Sequence, residues 1–357
     1  MKQIFILGRN PELSRQEIFA FLRARKIKNT EIFFNENLLL LEIEKIISIQ
    51  ELGGTIKSGK IEFDSSEKEF QDYVQRNELV PSDKFTFAVF GNGDIEILKE
   101  KFKIERKKAV MKHGGKKIRL QEGDELFLGN VDFSLFFHEL NNNIYFGLIN
   151  QEYDYSEVKK RDMEKPVRRE SLAISPRLSK ILINLSEAKA GDFLIDPFCG
   201  IGGILMEALI KNIDVYGVDK DRTAIADAKQ NLQWLINNYR IKSRFSLMNA
   251  DSSRTPDMKF DAIATETPLG ELLKKKSTRN EGGKIISDFE RMIIPILNRL
   301  RYVKKPTAKI AITFPVISKN HVDIEGLSEA TGLRVVLKPI LESRPDQFVS
   351  REILVLE

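Results

Sequence analysis

The C-terminal half of this 357-residue chain predicts an α/β fold, a doubly wound, mostly parallel sheet of seven strands behind an α+β region. Three observations carry the expectation. From about residue 171, short apolar runs alternate with amphipathic helical stretches, the pattern of a mostly parallel sheet. A glycine-bearing turn, Asp196-Pro197-Phe198-Cys199-Gly200-Ile201-Gly202-Gly203, joins one such run to a helix, as in Rossmann-like sheets. The last two runs have only residues 342–349 between them, so they close the sheet as an antiparallel hairpin.

The elements follow in order. An opening strand at 3–7 leads into Ser14-Arg15-Gln16-Glu17, a capping-box pattern for a helix over 15–25, with Leu13 and Ile18 at the spacing of a hydrophobic staple. Strands at 31–34 and 38–43, a helix, and a strand after Gly53-Gly54 complete strand–helix–strand–strand–helix–strand, the ferredoxin-like order, for a first domain over 1–60. Residues 61–150 form a second region, with a strand at 85–90, a charged helix from 95 to 113, a strand from Lys116 and a last strand at 142–149. Residues 151–170 are polar, without period, and hold Lys159, Lys160, Arg161, Lys165, Arg168 and Arg169; they read as a basic linker. In 171–357, strands are expected at 193–196, 214–219, 244–248, 260–265, 309–314, 333–340 and 351–356. Ser175-Pro176 opens a helix, residues 222–238 form another, and Ser287 with Glu290 is a capping box for a third.

Composition narrows the functional classes. Lys plus Arg exceed Asp plus Glu by five, which suits a polyanionic partner. Cys199 is the sole cysteine, which excludes an internal disulfide and, with three scattered histidines, argues against a metal site. No apolar run approaches the roughly twenty residues that span a bilayer, and the N-terminus opens as a strand rather than a signal peptide. The expectation is a cytoplasmic protein, monomeric by default, that does not engage a membrane.

The glycine turn and the strand ends point to a nucleoside cofactor. Asp219 ends its strand 23 residues after Asp196, where an acid accepts hydrogen bonds from ribose hydroxyls. The dinucleotide fingerprint wants a third glycine where this chain has Leu205. Asp196, leading the turn, suits a cofactor bearing an ammonium group, and S-adenosylmethionine (SAM) has one. Asp196, Phe198, Gly200 and Gly202 would surround its methionine part, Asp219 would bind its ribose and Asp251 with Ser252 its adenine edge, with Pro197 and Lys220 further cofactor-binding candidates. Between Lys99 and Arg119, ten Lys or Arg stand against two Glu, a phosphate-tracking surface or a solvated helix face. Lys107, Lys108, Lys112, Lys116, Lys117 and Arg119 are its RNA-binding candidates, joined by Lys274, Lys275 and Lys276 of a later loop.

These residues resemble the THUMP-containing tRNA guanine-N2 methyltransferases over nearly the whole chain. Gly8-Arg9-Asn10-Pro11-Glu12-Leu13-Ser14 is similar to that family's ferredoxin-like opening, and Leu52-Gly53-Gly54-Thr55-Ile56-Lys57 to the end of that subdomain. Residues 61–150 would be the THUMP module. Arg161-Asp162 through Pro166, Ser175-Pro176-Arg177-Leu178, the glycine turn and Arg344-Pro345-Asp346-Gln347 follow in the family's order. The resemblance implies methyl transfer from SAM to a guanine amine in tRNA, on a Rossmann-like seven-stranded methyltransferase sheet of strand order 3-2-1-4-5-7-6 with its closing hairpin.

At the acceptor site the family carries Asp-Pro-Pro-Tyr after its fourth strand, and this chain has Glu266-Thr267-Pro268-Leu269. Glu266 would be the amine acceptor, with Thr267, Pro268 and Leu269 lining the pocket. Losing the aromatic ring removes about 1–3 kcal/mol of base stacking. Altered guanine geometry, a different acceptor, including one in DNA, and RNA binding without catalysis all stay open at this point. Carbon-5 methylation of cytosine is disfavoured, because it needs a cysteine nucleophile and Cys199 sits in the cofactor turn.

Overall fold

In the computed structural model the described residues are 1–112, 116–119, 125–128, 131–169, 174–268, 277–343 and 349–357, with the side chains of 116–119 and 125–128 outside the description. The chain divides into two compact units. One comprises Met1–Arg15, Ile27–Gln50 and Gly54–Tyr153; the other comprises Gln16–Lys26, Glu51–Gly53 and Asp154–Glu357.

The first stretch of chain runs β1 (Lys2–Leu7), α1 (Pro11–Ala24), β2 (Asn29–Asn35), β3 (Leu38–Ile43), a 3-10 turn at Ile49–Glu51 and β4 (Thr55–Ser66). The order is ferredoxin-like, with the expected second helix reduced to that single turn. Helix α1 begins earlier than expected. Asn10 accepts the Leu13 N–H, Pro11 takes the first helical position, and the Ser14 hydroxyl donates back to the Asn10 carbonyl at 2.8 Å. Glu17 does not close a capping box; it accepts the Gly53 N–H at 2.6 Å and the Asn184 side chain at 2.7 Å.

Next come α2 (Glu67–Arg76), β5 (Lys84–Phe90), α3 (Ile95–Ile104), β6 (Lys108–Met111), β7 (Lys116–Arg119), β8 (Glu125–Leu128), β9 (Phe133–Leu140) and β10 (Asn143–Glu152). Among the described residues, eight strands pair as β2-β3-β1-β4-β10-β9-β5-β6, and β4 runs unbroken through residue 60. The charged helix stops at Ile104, not near 113, because Arg106 turns left-handed at φ 57° and Lys108–Met111 then pairs parallel to β5. One face of this sheet packs Phe70, Val74, Leu98 and Phe102 of α2 and α3 against Phe85, Phe87, Phe137 and Phe146. The other face is curled: Phe33 of β2 stacks on His138 of β9 with ring centroids 4.4 Å apart, although four strands separate them in the sheet order.

The rest of the chain runs α4 (Tyr155–Glu164), α5 (Pro176–Leu185), β11 (Phe193–Asp196), α6 (Gly203–Ile210), β12 (Asp214–Asp219), α7 (Arg222–Tyr239), β13 (Phe245–Asn249), β14 (Ala262–Glu266), α8 (Arg279–Val303), β15 (Ile310–Ile317), α9 (Ile324–Thr331), β16 (Val335–Glu342) and β17 (Val349–Leu356). The sheet order is β13-β12-β11-β14-β15-β17-β16, the expected 3-2-1-4-5-7-6, with β15, β17 and β16 antiparallel at one edge. The basic stretch expected as a linker contains α4, which Asp154 caps by accepting the Ser156 and Glu157 N–H groups. Its charges are largely spent internally. Arg161 meets buried Glu207 at 3.3 Å, Lys165 meets Asp162 at 2.5 Å, and Arg169 meets Asp227 at 2.6 Å.

Helix α8 starts at a capping box of Thr278 and Glu281, so the Ser287–Glu290 pair lies inside it. Interior Pro295 costs roughly 3 kcal/mol. Burial of Ile286, Phe289, Ile293, Ile296, Leu297 and Leu300, at about 1.5–3 kcal/mol each, outweighs that several times over.

Candidate active site

The carboxyl ends of β11, β12, β13 and β14 form one rim, and the turn after β11 is its centre. Gly200 and Gly202 adopt left-handed φ values of 53° and 88° there, which a side chain would strain. The Cys199 N–H donates to the Val218 carbonyl at 3.0 Å and the Gly202 N–H to the Cys199 carbonyl at 2.8 Å, which fix the turn against β12. Leu205 stands where the dinucleotide fingerprint has a glycine, and the room for it comes from Gly217 on β12. A Cβ at Gly217 would lie 2.6 Å from Leu205 Cδ1 and 2.9 Å from Cys199 Sγ. Cys199 is buried, its thiol pushed up by that burial, and it serves as packing beneath the turn.

Asp196 ends β11 with 2% of its surface exposed. The Thr265 hydroxyl donates to Asp196 Oδ1 at 2.6 Å and the Phe198 N–H donates to the same oxygen at 3.1 Å. Burial nonetheless pushes the carboxyl up to about 7, with further upward contributions from the charges of Asp219 and Glu266. Asp219, half-buried, accepts the Gly200 N–H on one oxygen and the Asp221 N–H on the other, both at 2.9 Å. It thereby ties the glycine turn to the loop after β12, where Lys220 is exposed. Asp251 is exposed and accepts the Ser253 N–H at 2.9 Å and hydroxyl at 2.6 Å, which hold its carboxyl below the usual range. Ser252 is buried and donates to the Pro197 carbonyl, so its hydroxyl braces the turn.

Glu266 ends β14 on the same rim and receives the guanidinium of Arg351 from β17. Thr267 is buried: its N–H donates to Thr313 Oγ1 at 3.2 Å and its hydroxyl to the Thr313 carbonyl at 2.6 Å, fixing the chain after Glu266 to β15. Pro268 is exposed. Leu269, the Lys274-Lys275-Lys276 run and the Arg344-Pro345-Asp346-Gln347 motif lie outside the described residues.

The basic candidates separate. Lys108 and Lys112 are exposed. Lys107 is a correction: its side chain is 4% exposed and spans Glu78 at 2.6 Å and Glu105 at 3.7 Å, so it closes the local fold and does not meet a partner. Lys116, Lys117 and Arg119 form β7, paired to β8.

Three site residues carried no signal in the sequence reading. Thr265 is an unremarked strand residue before Glu266. Asn231 of α7 donates to the Ile201 and Val167 carbonyls and accepts the Val167 N–H, clasping the turn. Arg351 lies on the final strand.

The charges of Asp219 and Glu266 add to the cost of a charge on Asp196 beside the glycine turn, so the site favours a cationic ligand. SAM carries an ammonium and a sulfonium, and the residues fit it. Residues 166–282 match the family model described as RMKL-like, methyltransferase domain. The C-terminal unit is a SAM-dependent methyltransferase domain.

Relatives agree at the level of the chain. The tRNA (guanine(10)-N2)-dimethyltransferase of Pyrococcus abyssi is 23% identical over 340 residues, 94% of both chains. The enzyme of the same name from Methanothermobacter thermautotrophicus is 40% identical over 99 residues, 28% of each chain. The crystal structure of TrmN from Thermus thermophilus superposes with a TM-score of 0.55 at 13% identity, covering 100% of this chain and 99% of that one, and so shares the fold of the methyltransferase domain and its partner region.

Proposed function

We propose that this chain methylates the exocyclic amine of a guanine in tRNA. The observation that carries the reading is the convergence of Asp196, Asp219 and Glu266 on one rim of the methyltransferase domain, in a chain alignable almost end to end with a tRNA (guanine(10)-N2)-dimethyltransferase.

The chemistry sets the roles. SAM, when bound, supplies a methyl group activated on a sulfonium sulfur. A guanine amine is a weak nucleophile, since its lone pair is delocalised into the ring, so positioning and hydrogen-bond acceptance must favour the attack. Glu266 accepts an N–H of the amine. Its contact with Arg351 orients the carboxylate as an acceptor of hydrogen bonds, and the amine proton departs to water after transfer. Thr267, tied to Thr313, keeps Glu266 and the following backbone in register with β15. Asp196 receives the cationic end of the cofactor, Asp219 its ribose and Asp251 its adenine edge. Glu in place of the family's Asp is one methylene longer, and the Arg351 contact sets where that longer arm ends.

The N-terminal unit is assigned to tRNA binding as a ferredoxin-like plus THUMP region, with Lys108 and Lys112 on phosphates. Among the described residues no helix is long and apolar enough to cross a membrane, and no cluster of His, Cys, Asp or Glu could hold a metal ion. Incubation of the full chain with tRNA lacking base methylation and methyl-labelled SAM tests the reading. Label in guanosine supports it; label in another nucleoside, or none despite SAM binding, overturns it.

A further inference from the structure

Glu266 has a partner that no motif announces. Arg351 sits near the start of β17, opposite Pro315 of β15 and beside Glu342 of β16, with 7% of its surface exposed. Its Nη1 donates to Glu266 Oε1, reaching past β15 to the end of β14. A guanidinium carries five N–H donors in a rigid fork. Among the described residues, the Glu266 carboxylate is the partner those donors have. None of the remaining Arg351 N–H groups is, among the described residues, a buried donor left without an acceptor, so they face solvent and can be taken by a ligand carbonyl arriving beside Glu266.

We propose that Glu266 and Arg351 together read the Watson–Crick edge of the target guanine. The carboxylate accepts the exocyclic amine and the neighbouring ring N1–H, while the guanidinium donates to the carbonyl oxygen at position 6. This rests on the guanine reading above and names what selects the base. The two side chains present acceptor and donor side by side, and guanine presents donor, donor and acceptor in the complementary order. Adenine offers an amine where the guanidinium needs an acceptor, and uracil has no amine for the carboxylate. These contacts lie in the plane of the base, so they leave the face of the amine nitrogen open to the methyl group. An edge read by charged groups also substitutes for part of the stacking that the family's tyrosine would supply.

The test uses the full chain and a synthetic tRNA in which the methylated guanosine, once mapped, is replaced by 6-thioguanosine. That analogue keeps the amine and the N1–H but exchanges the oxygen for a weak acceptor. The wild-type kcat/KM should fall about 10- to 100-fold on this exchange, the discrimination expected of a good charged contact to a base. Arg351→Met, with its thermal transition shown to be cooperative, should be slower on guanine and lose no more than about twofold further on the sulfur analogue. Arg351→Lys, which keeps the charge but not the fork, should give an intermediate ratio. Wild-type enzyme that methylates both substrates equally would overturn the proposal without any variant. So would an unchanged ratio in either folded variant. If no guanosine in natural tRNA is methylated, the guanine reading itself fails and this proposal falls with it.

Discussion

Replacing Asp196 by asparagine should stabilise the free protein while destroying its cofactor site. The carboxyl is raised from an ordinary value near 3.8 to about 7 by burial first, then by Asp219 and Glu266. Three pKa units at 1.36 kcal/mol each amount to at most about 4 kcal/mol. The sign is set by which state holds the proton. Between pH 4 and 7 the folded protein keeps Asp196 protonated while the unfolded chain releases it, so stability falls as pH rises through that window and levels off above it. Asparagine keeps an oxygen for the Thr265 hydroxyl at the Asp196 position and carries no charge. Asp196→Asn should therefore flatten this part of the pH dependence and raise the free protein's transition at pH 8 by up to about 10 °C. SAM affinity should fall by two orders of magnitude or more, because the buried negative charge that meets the cofactor's cation is gone. Trp234 is the only tryptophan and lies on α7, so its fluorescence follows the C-terminal unit in thermal scans from pH 4 to 8, with and without SAM. A variant with the wild-type pH slope would show that Asp196 is not held protonated by burial, and one with wild-type SAM affinity that it does not meet the cofactor's cation.

Other expectations follow from the same geometry. Glu266→Gln, which can still accept from Arg351, should bind SAM normally but lose at least a hundredfold in kcat; near-normal turnover would remove Glu266 from the reaction. Lys108→Ala and Lys112→Ala should each reduce the salt slope of tRNA binding by about one, whereas Lys107→Ala should leave the slope alone and lower stability, since it abandons Glu78. Binding titrations at several salt concentrations separate these cases, and a slope change in the Lys107 variant alone would reverse the assignment. His138 is buried against Phe33 with its Nδ1 lacking a hydrogen-bond partner among the described residues, and burial lowers its pKa. The unfolded chain then takes up the proton first as pH falls through about 6.5, so the N-terminal unit should lose stability toward pH 5. His138→Phe should blunt that loss, read by amide hydrogen exchange in β9 and β10; equal loss in both proteins would place its cause elsewhere.

The alternation of strands and helices and the closing hairpin were legible because their cues are local. Apolar runs bounded by helices predict parallel neighbours, and the missing helix before residue 349 predicts the closing hairpin. Helix starts were less so. Ser14-x-x-Glu17 and Ser287-x-x-Glu290 both fit a capping box, yet Glu17 is drawn to Gly53 and Asn184 and Ser287 lies within a helix that begins at Thr278. Tertiary packing also carries α8 through Gly282, Gly283 and Pro295, which local propensity would read as breaks. Gly282 is required there, since a Cβ would meet the Ile317 carbonyl oxygen at 2.8 Å. Likewise, a basic stretch without period contains α4, whose Arg161 finds buried Glu207 elsewhere in the chain. At the site, the acids at strand ends were readable from the turn and the spacing. Arg351 was not, because it lies 85 residues from Glu266 in sequence and meets it only once β17 has folded back beside β15.

Digesting tRNA methylated by the full chain with labelled SAM and identifying the labelled nucleoside decides whether a guanine amine is the acceptor. N2-methylated guanosine is expected, with the label abolished by Asp196→Asn and by Glu266→Gln. Label in any other nucleoside, or incorporation that survives both substitutions, would contradict this expectation.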